Sequence, residues 1–147
     1  MIPILYHYEA SPFAELVRAA FGVKGLTWGS LLVPRIMPKP DQTQLTGAYG
    51  RTPVVQIGAD IYCDSQLIVR ELERCFPLKP LYPAGSEVLA SAVEQMCDKA
   101  VFQSAVVAIF GSIGDNVDPA FIKDLERFGL NIGEPGQEPF KSFIKQE

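Results

Sequence analysis

The residues around position 53 form the pattern best suited to bind a ligand through the main chain. Thr52 and Pro53 lead into a short apolar run, and Asp64 and Ser65 follow the next turn of the chain. Proline donates no hydrogen bond to a strand ladder, so the neighbouring main-chain groups are left to pair with a ligand. Asp64 and Ser65 are typical of a turn that binds an anion at a helix N-terminus. The sequence therefore predicts a docking edge for a small peptide, with Pro53 as a candidate cis proline.

A second feature lies near the start of the chain, where Ser11 precedes Pro12. This pair predicts the start of a helix, because serine caps helices well and proline is tolerated at the first helical position. The only histidine, His7, lies just before it. We predict that His7 is a strand or loop residue rather than a base.

The composition indicates a folded protein without a nucleic-acid surface. The chain has 147 residues, of which 48% are hydrophobic, and a formal net charge of −4. That apolar content is ample for a packed core, whereas the scattered Lys and Arg form no basic stripe. The longest apolar-leaning run is shorter than the about 20 residues that cross a bilayer. We therefore predict neither a nucleic-acid nor a membrane partner.

The cysteines favour a reducing compartment, and hence a cytoplasmic protein. Cys63, Cys75 and Cys97 are odd in number and widely spaced, which fits neither a disulfide framework nor a zinc site. None begins a Cys-x-x-Cys motif, so a dithiol oxidoreductase is disfavoured. We predict three buried structural thiols and no metal site.

Hydrophobic periodicity predicts alternating strands and helices in residues 1–77. The first strand covers residues 2–8, and the helix that begins at Pro12 is predicted to end at Gly22. The second strand covers residues 26–33. The prolines and glycines that follow it allow only a short, irregular helix.

A hairpin and a third helix complete this pattern. Strands at residues 53–57 and 60–63 flank Gly58, which suits the first central position of a type II′ turn. The third helix follows Ser65 and ends before Pro77. The order βαβαββα, with a proline-led third strand, predicts an α/β fold with a thioredoxin-like domain.

The remaining residues predict a linker, residues 78–85, and a truncated all-α segment, residues 86–147. Ser86 is predicted to cap a long helix with a continuous apolar stripe that needs a partner surface. A short helix is predicted from Asp118 through Phe128, followed by a flexible tail. The stripe consists of Val88, Leu89, Ala92, Val93, Met96, Ala100, Val101, Ala105 and Ala108.

Residues 1 to about 110 resemble cytosolic glutathione transferases in three segments. The sequence Ser-Pro-Phe-Ala-Glu from Ser11 resembles the active-site segment of the omega-like classes, where a cysteine or serine precedes Pro-Phe. The sequence Thr-Pro-Val-Val from Thr52 resembles the cis-proline strand. Asp64 and the helix after it resemble the glutamyl-binding turn, where Glu-Ser is the commoner pair. The likeness is to an omega- or theta-like N-terminal domain, its linker and the first helix of an α-domain.

This resemblance implies an enzyme that uses glutathione as co-substrate and activates its thiol for conjugation to an electrophilic small molecule. Ser11 would stabilise the thiolate with its hydroxyl at the positive end of a helix dipole. Tyr6 and Tyr8 are rival donors, and capping the helix is the alternative role of Ser11. The implied glutathione-binding residues are Phe13, Lys39, Thr52, Pro53, Val54, Asp64 and Ser65.

The resemblance assigns a part of the tripeptide to four of these residues. The main chain of Thr52 would pair with the cysteinyl unit, and Ser65 with the amides opening the third helix would hold the γ-glutamyl carboxylate. Asp64 would face the ammonium group, although an ordinary helix cap is the alternative for the Asp-Ser pair. Lys39 or Arg35 would meet the glycyl carboxylate, unless Lys39 is simply a solvated loop residue.

The family's α-domain is much longer than residues 86–147, and its members are usually dimers. The resemblance therefore implies either a truncated chain or a divergent member that covers its apolar stripe by forming a homodimer. A non-catalytic module that binds glutathione or another ligand, or that binds a protein partner, is the alternative function.

Overall fold

The computed structural model describes residues 1–113 and 116–127, in two units. The first unit is Met1–Leu81, and the second begins at Tyr82. The first unit has the predicted order βαβαββα. Its elements are β1 (Ile4–His7), α1 (Pro12–Lys24), β2 (Gly29–Leu32), α2 (Pro40–Thr43), β3 (Val54–Ile57), β4 (Asp60–Cys63) and α3 (Ser65–Cys75).

The four strands form one mixed sheet in the order β2-β1-β3-β4. Strand β1 is parallel to β2 and antiparallel to β3, and β3 is antiparallel to β4. In this register Val54 lies opposite Tyr6 on one side and Cys63 on the other. This topology confirms the predicted thioredoxin-like fold.

The core of the first unit consists of side chains from the central strands and from α1 and α3. Leu5 of β1 and Val55 of β3 are opposite each other and fully buried. Phe21 of α1 is fully buried and stacks on Trp28, with ring centroids 5.3 Å apart. Helix α3 has one apolar face, as predicted, and contributes Ile68 to the core. Close packing of these side chains fixes α1 and α3 relative to the sheet.

Helix α1 passes through Gly22, so the predicted end at this residue is wrong. The helix ends at Lys24, and Gly25 caps it with a φ of 65°. The Leu26 N–H donates to the Phe21 carbonyl at 2.9 Å, and the Gly25 N–H donates to the Gly22 carbonyl at 3.0 Å. This is a Schellman motif, whose left-handed residue is usually glycine. A mid-helix glycine costs only about 1 kcal/mol, so burial of Phe21 outweighs it.

Three strands are shorter than predicted, whereas the hairpin turn agrees with the prediction. Strand β1 lacks the outer residues of 2–8, β2 begins after Trp28, and β3 begins after Pro53. Strand β4 has its predicted bounds, and Gly58 has a φ of 66°, the positive value that the first central position requires.

The second unit is helical. Its elements are α4 (Glu87–Met96), a π-helical turn (Cys97–Val101), α5 (Phe102–Ile113) and α6 (Pro119–Arg127). Ser86 is the N-cap residue of α4, as predicted, but its side chain makes no capping hydrogen bond. Ile122 of α6 packs against Val106 and Phe110. Phe128 and the predicted tail lie outside the described residues.

Most of the large side chains of the predicted apolar stripe are exposed in this unit. Exposed fractions include 85% for Val88, 68% for Leu89 and 56% for Met96. Cys97 is also exposed, and the thiols of Cys63 and Cys75 are only partly buried. The prediction of three buried thiols is therefore wrong: the helical face that carries Cys97 is exposed, as its neighbour Met96 also shows.

Candidate functional site

The predicted site residues converge at one end of the sheet. Because β2 and β4 run parallel to β1 and β3 runs antiparallel, three C-terminal strand ends meet the N-terminal end of β3 there. The chain leaves this end from β1 towards Ser11 and from β4 towards Asp64, and it enters β3 here through Pro53. We call this the Pro53 end of the sheet.

The segment that enters β3 has the geometry of a docking edge. The Thr52–Pro53 peptide bond is cis, as is Met37–Pro38. Pro53 is buried and Thr52 is half-buried. Pairing of β3 with both of its neighbours begins at Val54, so the main chain of Thr52 lies outside both ladders. A ligand with an extended main chain can pair with a segment in this position.

Ser11 is the N-cap of α1 and is only 2% exposed. Its Oγ accepts a hydrogen bond from the Ala14 N–H at 3.2 Å, and its own N–H donates to the Tyr8 carbonyl at 3.2 Å. The capping role is therefore confirmed. A serine hydroxyl also has one O–H donor, which a cap of this kind does not use. Ser11 can thus cap α1 and donate to a bound group at the same time.

The two rival tyrosines differ in what surrounds their hydroxyl groups and rings. Tyr6 is buried, and its hydroxyl donates to Gln56 Oε1 at 3.0 Å. Its donor is therefore used within the sheet. The ring of Tyr8 lies 5.7 Å from Lys39 Nζ, a distance at which a cation is attracted to an aromatic face. Tyr8 and Lys39 thus connect the loop after β1 with the segment before α2.

His7 is buried and hydrogen-bonded through both ring nitrogens. Arg18 Nη1 lies 2.8 Å from Nδ1, and Ser30 Oγ lies 2.7 Å from Nε2. Arginine cannot accept, so Nδ1 accepts from Arg18, and Nε2 carries the proton and donates to Ser30. Burial, followed by the charge of Arg18, lowers the pKa of His7. His7 is therefore a neutral strand residue, which agrees with the prediction.

This histidine makes the stability of the first unit depend on pH. The unfolded chain takes up a proton as the pH falls below the ordinary value of 6.5, whereas folded His7 resists protonation. We therefore expect neutral His7 to make its full contribution to the free energy of unfolding above pH 6.5. This contribution should be lost as the pH falls towards the lowered pKa of His7. Urea unfolding from pH 7.5 to pH 5.5 measures this slope. His7→Gln should flatten it, and an unchanged slope would refute the assignment.

Lys39 is 2% exposed and is therefore not a solvated loop residue. It precedes α2, and its Nζ donates to the Gly50 carbonyl at 2.9 Å. Arg35, the alternative cation, is exposed. Phe13, in the first turn of α1, is half-buried. The structure thus brings Lys39, and not Arg35, into the packed part of the Pro53 end.

Asp64, rather than Ser65, is the N-cap of α3. Its Oδ1 accepts from the N–H groups of Gln66 and Leu67 at 3.0 and 3.2 Å. Two amides that were expected to hold a ligand carboxylate are therefore already bonded to Asp64. Asp64 has a φ of 75°, a value that costs a non-glycine residue about 1–3 kcal/mol and is concentrated at binding sites. Ser65 follows as a buried residue at the first position of α3.

The family follows from comparison with known proteins. Residues 5–80 match the family described as glutathione S-transferase, N-terminal domain. This chain belongs to the glutathione S-transferase family. The match covers β1 to α3, and therefore every residue of the Pro53 end described above.

Two individual relatives resemble this glutathione S-transferase over most of the chain. Pyrimidodiazepine synthase of Drosophila melanogaster is 26% identical over an alignment 144 residues long, which covers 92% of this chain and 56% of the synthase. The chain thus spans about half the length of this curated relative. A crystal structure of a GST-like protein from Pseudomonas syringae is 47% identical, with a TM-score of 0.68 over 72% of this chain and 38% of that protein.

A more distant glutathione S-transferase shares the fold. The enzyme from the Antarctic clam Laternula elliptica is 19% identical, with a TM-score of 0.61 over 86% of this chain and 60% of that chain. At this identity the likeness supports the fold alone.

Two residues of this glutathione S-transferase domain escaped the sequence analysis. Gln42 in α2 is fully buried, and Tyr49 packs against the buried cluster of Tyr6, Val33 and Val54. Burial, followed by the charge of nearby Asp64, raises the pKa of Tyr49. A buried glutamine in a segment rich in proline and glycine has no periodic signal, so neither residue could be found from the pattern.

Residues 1–113 and 116–127 contain no group of three or more His, Cys, Asp or Glu that could hold a metal ion. Within the same residues, the structure has no helix of the length and hydrophobicity that a membrane crossing requires.

Proposed function

We propose that this chain binds glutathione at the Pro53 end of the sheet and activates its thiol for conjugation to an electrophilic small molecule. The proposal is carried by one observation: Ser11, the Thr52–Pro53 segment and the Asp64–Ser65 turn meet at one end of a glutathione S-transferase domain. Ligands of α/β sheets commonly bind beyond the C-terminal ends of the strands, and three such ends meet there.

The γ-glutamyl and cysteinyl units bind along β3 and α3. The main chain of Thr52 pairs with the cysteinyl unit in the way an added strand does. Ser65 binds the γ-glutamyl carboxylate through its hydroxyl and its own N–H at the positive end of α3. Asp64 faces the ammonium group. Because the Gln66 and Leu67 amides already hold the Asp64 carboxylate, little ordering is lost when it pairs with the ligand.

The glycyl carboxylate is assigned to Lys39, with Arg35 as the alternative. The Lys39 ammonium donates to the Gly50 carbonyl and lies 5.7 Å from the centroid of the Tyr8 ring, which hold it at the Pro53 end of the sheet. Its near-complete burial strengthens the interaction with an anion, since water screens it weakly. Phe13, which is half-buried, adds an apolar contact, whereas the fully buried Val54 supports the Thr52–Pro53 segment from the core.

Ser11 activates the sulfur in this proposal. Its hydroxyl donates to the sulfur while its oxygen accepts from Ala14, and the N-terminus of α1 adds partial positive charge. Both effects favour the thiolate over the thiol. The thiolate lone pair then forms a carbon–sulfur bond to the electrophile, and the leaving group departs with the electrons of the broken bond. The Ser-Pro-Phe segment favours an omega- or theta-like subclass, and we propose a cytoplasmic homodimer.

A non-catalytic module that binds glutathione or a protein partner is the second candidate. It is favoured by the exposed apolar side chains of α4, which a protein partner could cover.

Calorimetry and a conjugation assay separate these candidates. Titration with glutathione and with S-methylglutathione measures binding, and reaction with an activated aryl chloride measures turnover. Binding of both ligands with turnover supports the enzyme, and binding without turnover supports the module. If neither ligand binds, the glutathione site does not exist.

Ser65→Ala should weaken glutathione binding by about tenfold, because the ligand carboxylate loses a charge-assisted hydrogen bond. Titration calorimetry measures the change in Kd. Ser65→Thr retains the hydroxyl and should restore much of the affinity. Unchanged affinity in Ser65→Ala would remove Ser65 from the site.

A further inference from the structure

Two buried side chains before and within α2 bind the three carbonyl groups that lead into Thr52. Gln42 Nε2 donates to the Tyr49 carbonyl at 3.1 Å and to the Arg51 carbonyl at 2.7 Å. Lys39 Nζ donates to the Gly50 carbonyl between them at 2.9 Å. Gln42 is fully buried, and Lys39 is 2% exposed. We call this arrangement the carbonyl clamp.

The clamp is connected to its own helix by further hydrogen bonds. Thr46 Oγ1 donates to the carbonyl of Gln42 at 2.9 Å and lies 3.2 Å from the carbonyl of Tyr49. Thr43 Oγ1 donates to the Lys39 carbonyl at 2.9 Å. A four-residue helix is too short to be stable by propensity, so these side-chain bonds hold the segment in place.

The contact with Arg51 determines the direction of the neighbouring amide. A carbonyl and the N–H of the next residue belong to one rigid planar peptide group, and in a trans peptide they point in opposite directions. The bond from Gln42 to the Arg51 carbonyl therefore directs the Thr52 N–H away from α2. Thr52 is the residue whose main chain lies outside both strand ladders.

Gln42 makes these contacts although the oxygen of its own side-chain amide lacks a hydrogen bond in the part of the chain that the structure describes. Within the described residues its Oε1 is buried and accepts no hydrogen bond. An apolar side chain of similar size would avoid that penalty and fill the same space, but it could donate to neither carbonyl. The unsatisfied oxygen is thus the cost of having both N–H groups in place.

We propose that Gln42 is a positioning residue that holds the Thr52 main chain in the direction needed to pair with a peptide ligand. The inference rests on the proposed glutathione site for the identity of that ligand. Gln42 does not touch the ligand; it acts through the Arg51–Thr52 peptide group, and Lys39 holds the preceding carbonyl in the same way.

The test compares Gln42→Met with Gln44→Met, an exposed glutamine beside the same helix. Gln42→Met should weaken binding of glutathione and of S-methylglutathione equally, by about tenfold, since misplacing a binding group by a fraction of an ångström carries such costs. The Thr52 amide order parameter from NMR relaxation should fall from about 0.85 towards 0.6. Gln44→Met should change neither quantity.

A purely structural role for Gln42 would lower the melting temperature but leave affinity and the Thr52 order parameter unchanged, and that result would overturn the proposal. Gln42→Asn, whose shorter side chain cannot reach both carbonyls, gives the same comparison if Gln42→Met does not fold. If the unsubstituted protein binds neither ligand, the proposed function fails, and the order parameter alone decides the clamp. An unchanged Thr52 order parameter in the Gln42 variants would then refute the positioning role of Gln42.

Discussion

Replacing Ser11 with alanine should lower conjugation turnover at pH 7 by about ten- to thirtyfold while changing the Kd for glutathione by much less. A free thiol with a pKa near 8.5 is only a few per cent ionised at this pH, so each unit by which Ser11 lowers the pKa is worth up to tenfold in thiolate. The hydroxyl acts on the sulfur, whereas the ends of the tripeptide determine most of its affinity. Turnover measured from pH 6 to pH 9 should show the loss shrinking at high pH.

The capping bond that Ser11 Oγ accepts from the Ala14 N–H must be separated from this effect. Loss of the cap alone costs about 1 kcal/mol of stability. Ser11→Asp keeps an N-cap acceptor but repels a thiolate, so we expect near-normal stability with turnover lost. Ser11→Thr keeps both functions. If Ser11→Ala lowers affinity and turnover equally, or if Ser11→Asp remains active, Ser11 does not stabilise the thiolate.

The order of the strands and helices in the chain, and the residues at which several of them begin, could be predicted because both depend on local signals. Ser11 before Pro12 marks a helix start, Gly58 marks a hairpin, and Pro53 excludes a central ladder position. Once the strand order is known, the sheet topology alone brings Ser11, Pro53 and Asp64 to one end.

Features that depend on long-range packing could not be predicted. Gly22 and Gly25 are both possible helix ends, and only the buried position of Phe21 decides between them. Lys39 was expected to be either solvated or bound to a ligand, yet its ammonium lies beside a carbonyl 11 positions away in sequence. Gln42 carried no signal at all. Buried polar side chains are determined by the atoms around them, which periodicity does not describe.

An ion pair that the sequence analysis missed should have the largest effect on stability. Lys24 Nζ lies 2.6 Å from Glu73 Oε2 and donates to the Phe76 carbonyl at 2.8 Å. The Lys24 side chain is fully buried, whereas that of Glu73 is 25% exposed. Burial alone would raise the pKa of Glu73, but the hydrogen bonds from Lys24 and the Leu81 N–H, with the charge of Lys24, outweigh it and lower the pKa. The pair thus joins α1 and α3 to the start of the linker.

The unequal burial of the two partners predicts an unequal cost of removing them. Glu73→Ala strands a buried ammonium and should cost about 3 kcal/mol, whereas Lys24→Met leaves a carboxylate that water can reach and should cost less than half of that. The double variant should resemble Lys24→Met, because its buried charge is gone. Arg74→Met, which breaks the pair between the exposed Arg74 and the partly buried Glu71, is the control and should cost much less than Glu73→Ala, because Arg74 is open to water. Urea unfolding of all four variants measures these differences, and equal costs for Glu73→Ala and Arg74→Met would show that the Lys24–Glu73 pair does not hold the linker to the domain.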